Sequence, residues 1–373
     1  MRIAVVTSGG FDPTGQGRVI PALLWLVERL ARRHDVQAFQ LHNSGGPTAY
    51  EACGARVTEL RDLPGPWRKW RALARAMRRA GPFDVVHGYW AAPAGLAAAV
   101  AGRRLGVPSI VTLDSGEFSA LPDIGYGLQR TWRGRQTVRL ACSLATVVTV
   151  CSEHMRALAR ARGIDAQVVP LGVDRGVFAP GAPRGDGPPW RLLQVANLNR
   201  VKDQITLLQA VALVRERGLD VRVDIVGRDT LDGTIQDRAA SLGLLDAVTF
   251  HGFQPSDRLR AFYDRAHLYV QSSRHEAAGV AVLEAAMCGV PVIGTAVGYV
   301  ADLAPSGAVA VAPARPAALA EAIAALTADP ARRARLTDAA RAWALDRDVD
   351  RTTMMMESLY ERCRLAVGQF ENR

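Results

Sequence analysis

The chain has few of the residues and patterns that mark disulfide-rich, metal-binding or membrane-spanning proteins. Its five cysteines are scattered without a CxxC spacing, so they indicate neither a disulfide framework nor a zinc site. Its seven histidines form no HExxH motif and no paired spacing, so the sequence predicts no metal site. The longest apolar runs fall well short of the roughly 18 residues that cross a bilayer. We therefore expect buried structural cysteines and no bound metal.

A secretion signal is also missing from the N-terminus. The opening MRIAVVTSGG is typical of a strand followed by a glycine turn. It lacks the charged start, apolar stretch and cleavage site of a signal peptide. The expectation is a cytoplasmic protein.

Lysine is nearly absent, although the chain is strongly basic. Only two of the 46 Lys and Arg residues are lysines, Lys69 and Lys202, and the formal net charge is +10. The whole excess lies in residues 1–172, which contain 22 Lys and Arg against 12 Asp and Glu, whereas residues 173–373 contain 24 of each. A basic half predicts an anionic partner, such as a membrane surface, a lipid phosphate or an acidic glycan. Nucleic acid is disfavoured, because no helix-turn-helix, RNP or zinc-finger pattern is present.

One segment of the basic half is typical of an amphipathic helix. Over residues 66–80, Trp67, Trp70, Ala74 and Met77 recur at helical spacing on one face. Most of the remaining surface is basic, with Arg68, Lys69, Arg71, Arg75, Arg78 and Arg79. Tryptophan beside dense arginine favours a helix at an anionic membrane surface, and the same stripe would also suit packing on a sheet. Attachment to the inner face of the cell membrane is therefore one of two alternatives.

Strand-like and helical segments alternate along the chain in two series. The first opens with a strand over Arg2–Thr7 and a helix over 18–33, and its later strand-like runs are DVQAFQL, DVVHGYW, PSIVTL and LATVVTV. Near Gly172 a stretch rich in Gly and Pro predicts a linker. The alternation then restarts with RLLQVANL. This order predicts two doubly wound α/β domains, whose ligands lie beyond the carboxyl ends of parallel strands.

The strongest motif lies between Ser272 and Gly298 and reads SSRHEAAGVAVLEAAMCGVPVIGTAVG. It begins at the end of a strand and enters a helix predicted over 279–288. The start of such a helix offers free backbone amides that can hold an anion, and the residues concerned are Ala277, Ala278, Gly279 and Val280. The motif therefore indicates a site for phosphate or sugar oxygens.

Two glutamates of this motif suit the same ligand. Glu276 precedes the predicted helix and can accept from sugar hydroxyls, whereas Glu284 lies inside the helix and can bracket a ribose diol. The alternative is that Glu276 only caps the helix and Glu284 is solvated. The apolar residues on both sides of Glu284 favour burial, and a buried carboxylate needs a partner.

Further candidate contacts are a lysine, an arginine and a glycine loop. Lys202 stands at the start of a helix, where a compact ammonium suits a diphosphate. Arg200, in the same loop, either adds a second charge or faces solvent. Gly15 and Gly17 follow the first strand and let the backbone approach a ligand closely. The loop is not GxGxxG, and no acidic residue follows a second strand in the dinucleotide-binding manner, which disfavours a dehydrogenase.

The spacing Glu276-x7-Glu284 followed by AAMCGVPVIGT resembles the signature of family 4 of the retaining GT-B glycosyltransferases (glycosyl transferases group 1). QVANLNRVKDQITLLQA, LGVDRGVFAP and VTFHGF resemble further parts of that family. The resemblance implies an α/β fold of GT-B architecture, in which two Rossmann-like doubly wound domains face a central cleft. It implies an acceptor-binding domain over 1–172, a donor-binding domain over 173–345, and a C-terminal helix over 346–373 that packs back on the first domain.

The resemblance also assigns roles to single residues. Glu276 would contact donor-sugar hydroxyls, Glu284 the nucleotide ribose, and Lys202 the donor diphosphate. The loop of Gly15 and Gly17 would lie near the donor phosphates and the reacting sugar.

Three more positions compare with the family's residues. His87 ends the strand DVVH, is expected to point into the cleft, and counts with Glu276 and Lys202 among the catalytic residues. Asn197 stands where the family has an arginine on the diphosphate, and Asp114 stands where the family often has a second histidine.

The implied function is metal-independent transfer of a sugar, with retention, from a UDP-, GDP- or ADP-sugar to a hydroxyl of a glycan, a lipid or a lipid-linked acceptor. The donor is a substrate, and no cofactor is expected. Two alternatives stay open. One is a nucleotide-sugar epimerase of the same fold, and the other is a non-enzymatic scaffold that binds anions or membranes.

Overall fold

The computed structural model describes two compact units. The first unit comprises Met1–Gly172 and Val349–Arg373, and the second comprises Val173–Asp348. Each contains an open sheet with helices on both faces, so the predicted α/β fold with two doubly wound domains is confirmed. The described residues are 1–12, 20–42, 48–60, 65–181 and 185–371.

Strands and helices alternate in both units. The strands are β1 (Arg2–Thr7), β2 (Asp35–Gln40), β3 (Ala49–Ala52), β4 (Ala55–Glu59), β5 (Val85–Tyr89), β6 (Ser109–Leu113), β7 (Val147–Val150), β8 (Gln167–Val168), β9 (Trp190–Val195), β10 (Val221–Val226), β11 (Val248–Phe250), β12 (Leu268–Gln271), β13 (Val292–Thr295) and β14 (Ala308–Val311). The helices are α1 (Pro21–Ala31), α2 (Pro66–Ala80), α3 (Leu96–Leu105), α4 (Trp132–Leu144), α5 (Glu153–Arg160), α6 (Gln204–Glu216), α7 (Thr234–Ser241), α8 (Ser256–Arg265), α9 (Val280–Met287), α10 (Gly298–Leu303), α11 (Pro316–Ala328), α12 (Pro330–Leu345) and α13 (Val349–Glu371). Short helical turns occupy Ala91–Gly95, Pro122–Ile124 and Leu128–Arg130.

The sheet of the first unit has the strand order β3-β4-β2-β1-β5-β6-β7-β8. β3 runs antiparallel to β4, and the other paired strands are parallel. Side chains of β1 alternate between two cores. Ile3 and Val5 pack with α1 and α13, whereas Ala4 and Val6 pack with α2 and α3 on the opposite face. Coverage of both faces explains why β1 is an unbroken apolar run.

The sheet of the second unit has the order β11-β10-β9-β12-β13-β14, and all its strands are parallel. One core of this unit packs β9 and β10 against α6, α7 and α11. Leu192, Leu207 and Val223 are fully buried there or nearly so.

Each sheet contains a topological switch point, where successive strands depart in opposite directions. In the first unit, β2 lies on one side of β1 and β5 on the other. In the second, β10 lies on one side of β9 and β12 on the other. The loops that follow such neighbouring strands diverge and leave a crevice, which is where open α/β sheets bind ligands.

Some predicted helices and strands have the observed bounds, and others differ or were not predicted. The helix predicted over 18–33 covers Pro21–Ala31, and the glycine loop of Gly15 and Gly17 lies outside the described residues. The helix predicted over 66–80 has those bounds, with Pro66 in its first turn and Gly81 at its C-cap. The hairpin of β3 and β4 was not predicted. The final helix, α13, belongs to the first unit and packs on α1.

We found no helix, within the described ranges, that is long and apolar enough to cross a bilayer.

Candidate active site

A lysine and a glutamate meet at the switch point of the second unit. Lys202 lies in the loop after β9, and Glu276 lies in the loop after β12. Lys202 Nζ lies 2.6 Å from Glu276 Oε1, and Ser273 donates from its hydroxyl to the same oxygen at 2.6 Å. Glu276 is 9% exposed. Two of the residues predicted as catalytic are thus in direct contact, although 74 positions separate them.

Hydrogen bonds hold the two loops together. The hydroxyl of Ser272 donates to the carbonyl of Lys202 at 2.9 Å, and the amide of Arg274 donates to the carbonyl of Val201 at 2.7 Å. The amide of Lys202 donates to Asn199 Oδ1 at 3.0 Å. These contacts fix the backbone from which the lysine ammonium reaches the glutamate.

Two glycines shape the loop between Glu276 and α9. Gly279 has a φ of +80° and is the N-cap residue of α9, which receives no side-chain cap. Glu276 is therefore not the N-cap residue of this helix. Gly298 has a φ of +55°, and a Cβ atom built there would lie 2.8 Å from Glu276 Cβ and closer still to the carbonyl of Ala278. Only glycine lets α10 begin this close to the loop, where the amide of Tyr299 donates to Ala278 at 2.6 Å.

Glu284 lies in the second turn of α9 and is buried, with 6% of its surface exposed. Tyr263 of α8 donates from its hydroxyl to Glu284 Oε2 at 2.6 Å. Burial raises the pKa of Glu284 to about 7, and the Tyr263 hydrogen bond acts in the opposite direction. The alternative of a solvated Glu284 is wrong, because the carboxyl is buried with a partner.

Tyr269 of β12 is influenced by the charges of both glutamates. Its ring is buried, and the charges of Glu276 and Glu284, after burial itself, raise the pKa of its phenol far above the usual value. Both carboxyl groups therefore act on one side chain of β12. Glu276, Glu284 and Lys202 belong to one electrostatic neighbourhood of the second unit.

Arg200 and Asn197, two other residues of the loop after β9, have different surroundings. Arg200 is exposed. Asn197, which replaces the arginine expected from the resemblance, accepts from the amide of Arg228 at 3.0 Å through Oδ1. Asn197 thus ties the β9 loop to the loop after β10, and it supplies no positive charge.

His87 lies in the middle of β5, and Gly88 and Tyr89 follow it in the strand. The expectation that it ends its strand and points into a cleft is wrong. Its ring is fully buried, with Nδ1 2.7 Å from the Tyr360 hydroxyl and Nε2 2.6 Å from Thr112 Oγ1. Burial lowers the pKa of His87 to about 3, so the ring is neutral at physiological pH. One ring nitrogen thus bonds to α13 and the other to the neighbouring strand β6, so the ring helps to hold α13 on the sheet.

A cavity of about 550 Å³ lies at the switch point of the first unit. Its lining includes Ser8 after β1, Trp90 after β5, and Glu117, Tyr126 and Arg130 from the loop after β6. Sequence reasoning missed these residues as a group. The signal available was the length of the segment between β6 and α4, because βα loops in such folds usually span about 2–6 residues.

Glu117 lines this cavity, and Asp114 directly precedes Ser115 of the same lining. Glu117 is 1% exposed and accepts from the amides of Ala91 at 3.2 Å and Ser115 at 2.8 Å. Asp114 follows β6 directly, as predicted, and its buried Oδ1 has no hydrogen-bond partner among the residues described. Burial, and secondarily the charge of Glu117, raise the pKa of Asp114 well above its usual range. Asp114 thus has unused hydrogen-bonding capacity at this switch point.

Comparison with known proteins establishes the family. Residues 182–343 match the family model described as glycosyl transferases group 1, and residues 17–172 match a glycosyl transferase 4-like domain. The chain is 30% identical over 314 residues to the D-inositol 3-phosphate glycosyltransferase of Nocardiopsis dassonvillei, covering 78% of this chain and 73% of that one. The chain belongs to the glycosyl transferases group 1 family. The predicted resemblance and the prediction of a glycosyltransferase are confirmed.

A second relative of this glycosyltransferase extends over most of both chains. The GDP-mannose-dependent alpha-(1-6)-phosphatidylinositol monomannoside mannosyltransferase of Mycolicibacterium smegmatis is 30% identical over 364 residues, 90% of this chain and 92% of that one. The similarity therefore covers both units rather than one of them.

Solved structures show the same fold. Sucrose-phosphate synthase from Thermosynechococcus elongatus superposes with a TM-score of 0.81 at 21% identity, covering 98% of this chain and 99% of that one. Anabaena HepE, solved in complex with UDP-glucose, gives a TM-score of 0.77 at 18% identity, covering 97% and 100%. The predicted GT-B architecture is confirmed.

The glycosyltransferase thus carries its predicted site residues in two places. Lys202 and Glu276 are in contact at the switch point of the second unit, residues 277–280 lead into α9, and Glu284 lies in the second turn of that helix. His87 is separate from them, inside the first unit's sheet. The roles of the grouped residues toward a ligand stay predictions.

Proposed function

We propose that this glycosyltransferase moves a sugar from a nucleotide-sugar donor to a hydroxyl acceptor with retention of anomeric configuration. The observation that carries the proposal is the contact between Lys202 and Glu276 at a switch point. A cation and a hydrogen-bond acceptor in contact are the two groups that a sugar diphosphate requires. Relatives support the donor class, since one is named as GDP-mannose-dependent and HepE was solved with UDP-glucose.

Donor binding would exchange one ion pair for two ligand contacts. The ammonium of Lys202 would turn to the diphosphate, and Glu276 would then accept from hydroxyls of the sugar. The start of α9 would add its backbone amides and the positive end of its dipole. Glu284, held by Tyr263, would accept from the ribose hydroxyls.

The reaction would exchange one bond at the anomeric carbon for another. The bond from that carbon to the phosphate oxygen breaks, and the acceptor oxygen bonds to the carbon from the same face. The departing phosphate oxygen takes the acceptor's proton. Lys202 and the α9 amides stabilise the charge that develops on the leaving diphosphate. Because this cation is part of the protein, we propose that transfer needs no metal ion.

The cavity of the first unit suits an acceptor with a ring, hydroxyls and a phosphate. Trp90 and Tyr126 offer aromatic faces, and the hydroxyl of Ser8 has no hydrogen-bond partner among the residues described. The exposed guanidinium of Arg130 can hold a phosphate through two hydrogen bonds. Two relatives are named for acceptors of this class, D-inositol 3-phosphate and a phosphatidylinositol monomannoside. We propose a phosphorylated polyol ring, free or lipid-linked, as the acceptor.

The first test is donor binding. UDP-, GDP- and ADP-sugars would be screened for thermal stabilisation, because a ligand at 100 times its Kd adds about 2.7 kcal/mol to stability. The stabilising donor would then be incubated with inositol phosphates, and the anomeric configuration of the product would be read by NMR. An inverted product would refute retention, and an epimerised sugar formed without acceptor would favour the epimerase alternative.

The second test concerns the residues and the metal. Glu276→Gln should lower kcat by about 100-fold or more, because the contact to the sugar strengthens in the transition state. Glu321→Gln, a change at an exposed carboxyl of α11, is the matched control and should leave kcat unchanged. EDTA should alter neither rate nor binding. Loss of activity in EDTA that Mg²⁺ restores would contradict metal-independent transfer, and absence of any donor binding would favour the scaffold alternative.

The cytoplasmic location and attachment to the inner face of the cell membrane stay predictions.

A further inference from the structure

Three helices lie side by side on one face of the first unit's sheet. α3 packs between α2 and α4. Arg103 of α3 donates to the carbonyls of Leu144 at 3.0 Å and Ser143 at 3.1 Å, which joins the ends of α3 and α4. The outer side chains of α2, α3 and α4 therefore form one layer, which we call the α2–α4 face.

The charge of the α2–α4 face has a single sign. α2 contains six Arg or Lys, α3 two and α4 three, and these helices contain no Asp or Glu. The exposed members are Arg68, Arg71, Arg75, Arg78, Arg79, Arg103, Arg104, Arg133, Arg135 and Arg139. No acidic partner on the same helices offsets them. Most of the excess positive charge of the first half is thus concentrated on one surface.

The opposite face of the same sheet is arranged differently. There, arginines in the last turn of α1 and directly after it contact carboxylates: Arg29 lies 3.4 Å from Asp350, Arg33 lies 3.1 Å from Glu357, and Arg32 lies 2.9 Å from Glu28. A general preference for arginine in this chain would make both faces alike. The difference indicates that the α2–α4 face meets an anionic partner.

Two tryptophans stand at the same edge of the α2–α4 face. Trp67 is 66% exposed in the first turn of α2, and Trp132 is 67% exposed in the first turn of α4. Both helices follow parallel strands, so both first turns lie at the carboxyl edge of the sheet. Leu140 of α4 is also 45% exposed.

The apolar stripe predicted on α2 is buried against the sheet in its later turns and exposed in its first turn. Met77 is fully buried and Ala74 is 6% exposed, so the later turns pack on the sheet. Trp67 does not, and its ring contacts Trp70 edge-on with centroids 5.0 Å apart. Core packing therefore accounts for the end of α2 and leaves Trp67 unexplained.

We propose that the α2–α4 face docks on an anionic lipid bilayer, with Trp67 and Trp132 inserted at headgroup level. Anionic headgroups match a broad surface of one charge, and tryptophan is the side chain that prefers the boundary between water and lipid. The cavity of the first unit lies beside the same edge, because Arg130 lines it two residues before Trp132. A lipid-borne acceptor would thus reach the cavity directly from the bilayer. Docking does not depend on the proposed sugar transfer.

Flotation of the full-length protein with vesicles tests the proposal. Vesicles of phosphatidylcholine with about 30% phosphatidylglycerol would be compared with phosphatidylcholine alone at low and high salt. The wild type should float with the anionic vesicles only, and salt should weaken its binding. Arg71→Gln, Arg75→Gln and Arg139→Gln combined should lower partitioning about 100-fold, at about five-fold for each arginine.

Two further variants separate insertion from charge. Trp67→Ser with Trp132→Ser should reduce binding at high salt as well as at low salt, because apolar insertion is not screened. The matched control is the combined change of Arg332, Arg335 and Arg341 to Gln. These exposed arginines lie on α12 in the second unit, and their loss should change nothing.

Three outcomes would overturn the proposal. They are equal recovery in the supernatant with both vesicle types, an equal loss of binding in the α12 control, or salt-sensitive binding of a single-stranded RNA without any vesicle binding. Donor-induced thermal stabilisation, measured on every variant, checks folding. It also separates a failure of docking from a failure of the sugar-transfer proposal.

Discussion

Replacing Glu284 with glutamine should remove a pH-dependent cost to the stability of the second unit. Glutamine keeps the shape of the side chain and can still accept the hydroxyl of Tyr263, which now donates to Glu284 Oε2 at 2.6 Å. It cannot ionise. The variant therefore isolates the effect of placing a carboxylate inside α9, where only 6% of the residue is exposed.

The size and sign of the effect follow from the raised pKa. Burial raises the pKa of Glu284 from 4.5 to about 7, so the folded state binds this proton more tightly than the unfolded state does. The resulting stabilisation is fully present below pH 4.5 and is lost as the pH rises through 7. At about 1.4 kcal/mol for each pH unit, the loss amounts to about 3 kcal/mol.

Thermal unfolding between pH 5 and pH 8 is the assay. Wild type and Glu284→Gln should melt at similar temperatures at pH 5. At pH 8 the variant should melt higher by roughly 6–12 °C, since about 1 kcal/mol shifts Tm by roughly 2–4 °C in a domain of this size. Glu321→Gln, at an exposed position of α11, is the control and should follow the wild type at every pH. A Tm difference between Glu284→Gln and wild type that stays constant from pH 5 to pH 8 would contradict a raised pKa of Glu284 in the folded state.

Two other substitutions test the remaining site assignments. Lys202→Ala should weaken binding of the nucleoside diphosphate about 10- to 100-fold in calorimetry, because it removes a charge-assisted hydrogen bond, and Lys202→Arg should restore only part of it. Arg200→Ala measures the second charge directly, and unchanged affinity would mean that Arg200 only faces solvent. His87→Leu should cost about 2–4 kcal/mol of stability, because the hydroxyls of Tyr360 and Thr112 each lose a buried hydrogen bond, while kcat/KM of the folded enzyme changes little. A large loss of kcat with unchanged stability would instead support the original prediction that His87 is catalytic.

Elements with strong local signals could be predicted from the sequence. β1 and α2 have the predicted bounds, because an apolar run ends at a glycine turn in one case and proline and glycine flank a helix in the other. α9 differs from its prediction by one residue at each end. The hairpin of β3 and β4 was missed, since its two short strands carry no long apolar pattern and most of their residues are exposed or partly exposed.

The candidate site was predicted in part: the sequence motif identified two site residues but not the side chains that contact them. The motif from Ser272 to Gly298 identified Glu276 and Glu284 as unusual carboxylates, because one lies in a small-residue loop and the other in an apolar helix. It contained no information on which side chains would meet them. The pairing of Lys202 with Glu276 and of Tyr263 with Glu284 exists because β12 lies beside β9 and α8 beside α9.

The two series of strands and helices, the concentration of basic residues in the first half, and the motif that identifies the family are all visible in the linear chain. The three-dimensional arrangement was needed to learn that His87 is enclosed within its sheet, that Trp67 and Trp132 share one exposed edge, and that loops after β1, β5 and β6 line one cavity. The physical reason is common to all three. Hydrophobicity along a segment records how deeply it is buried, whereas the neighbour it is buried against is set by strand order, and strand order is a property of the whole sheet.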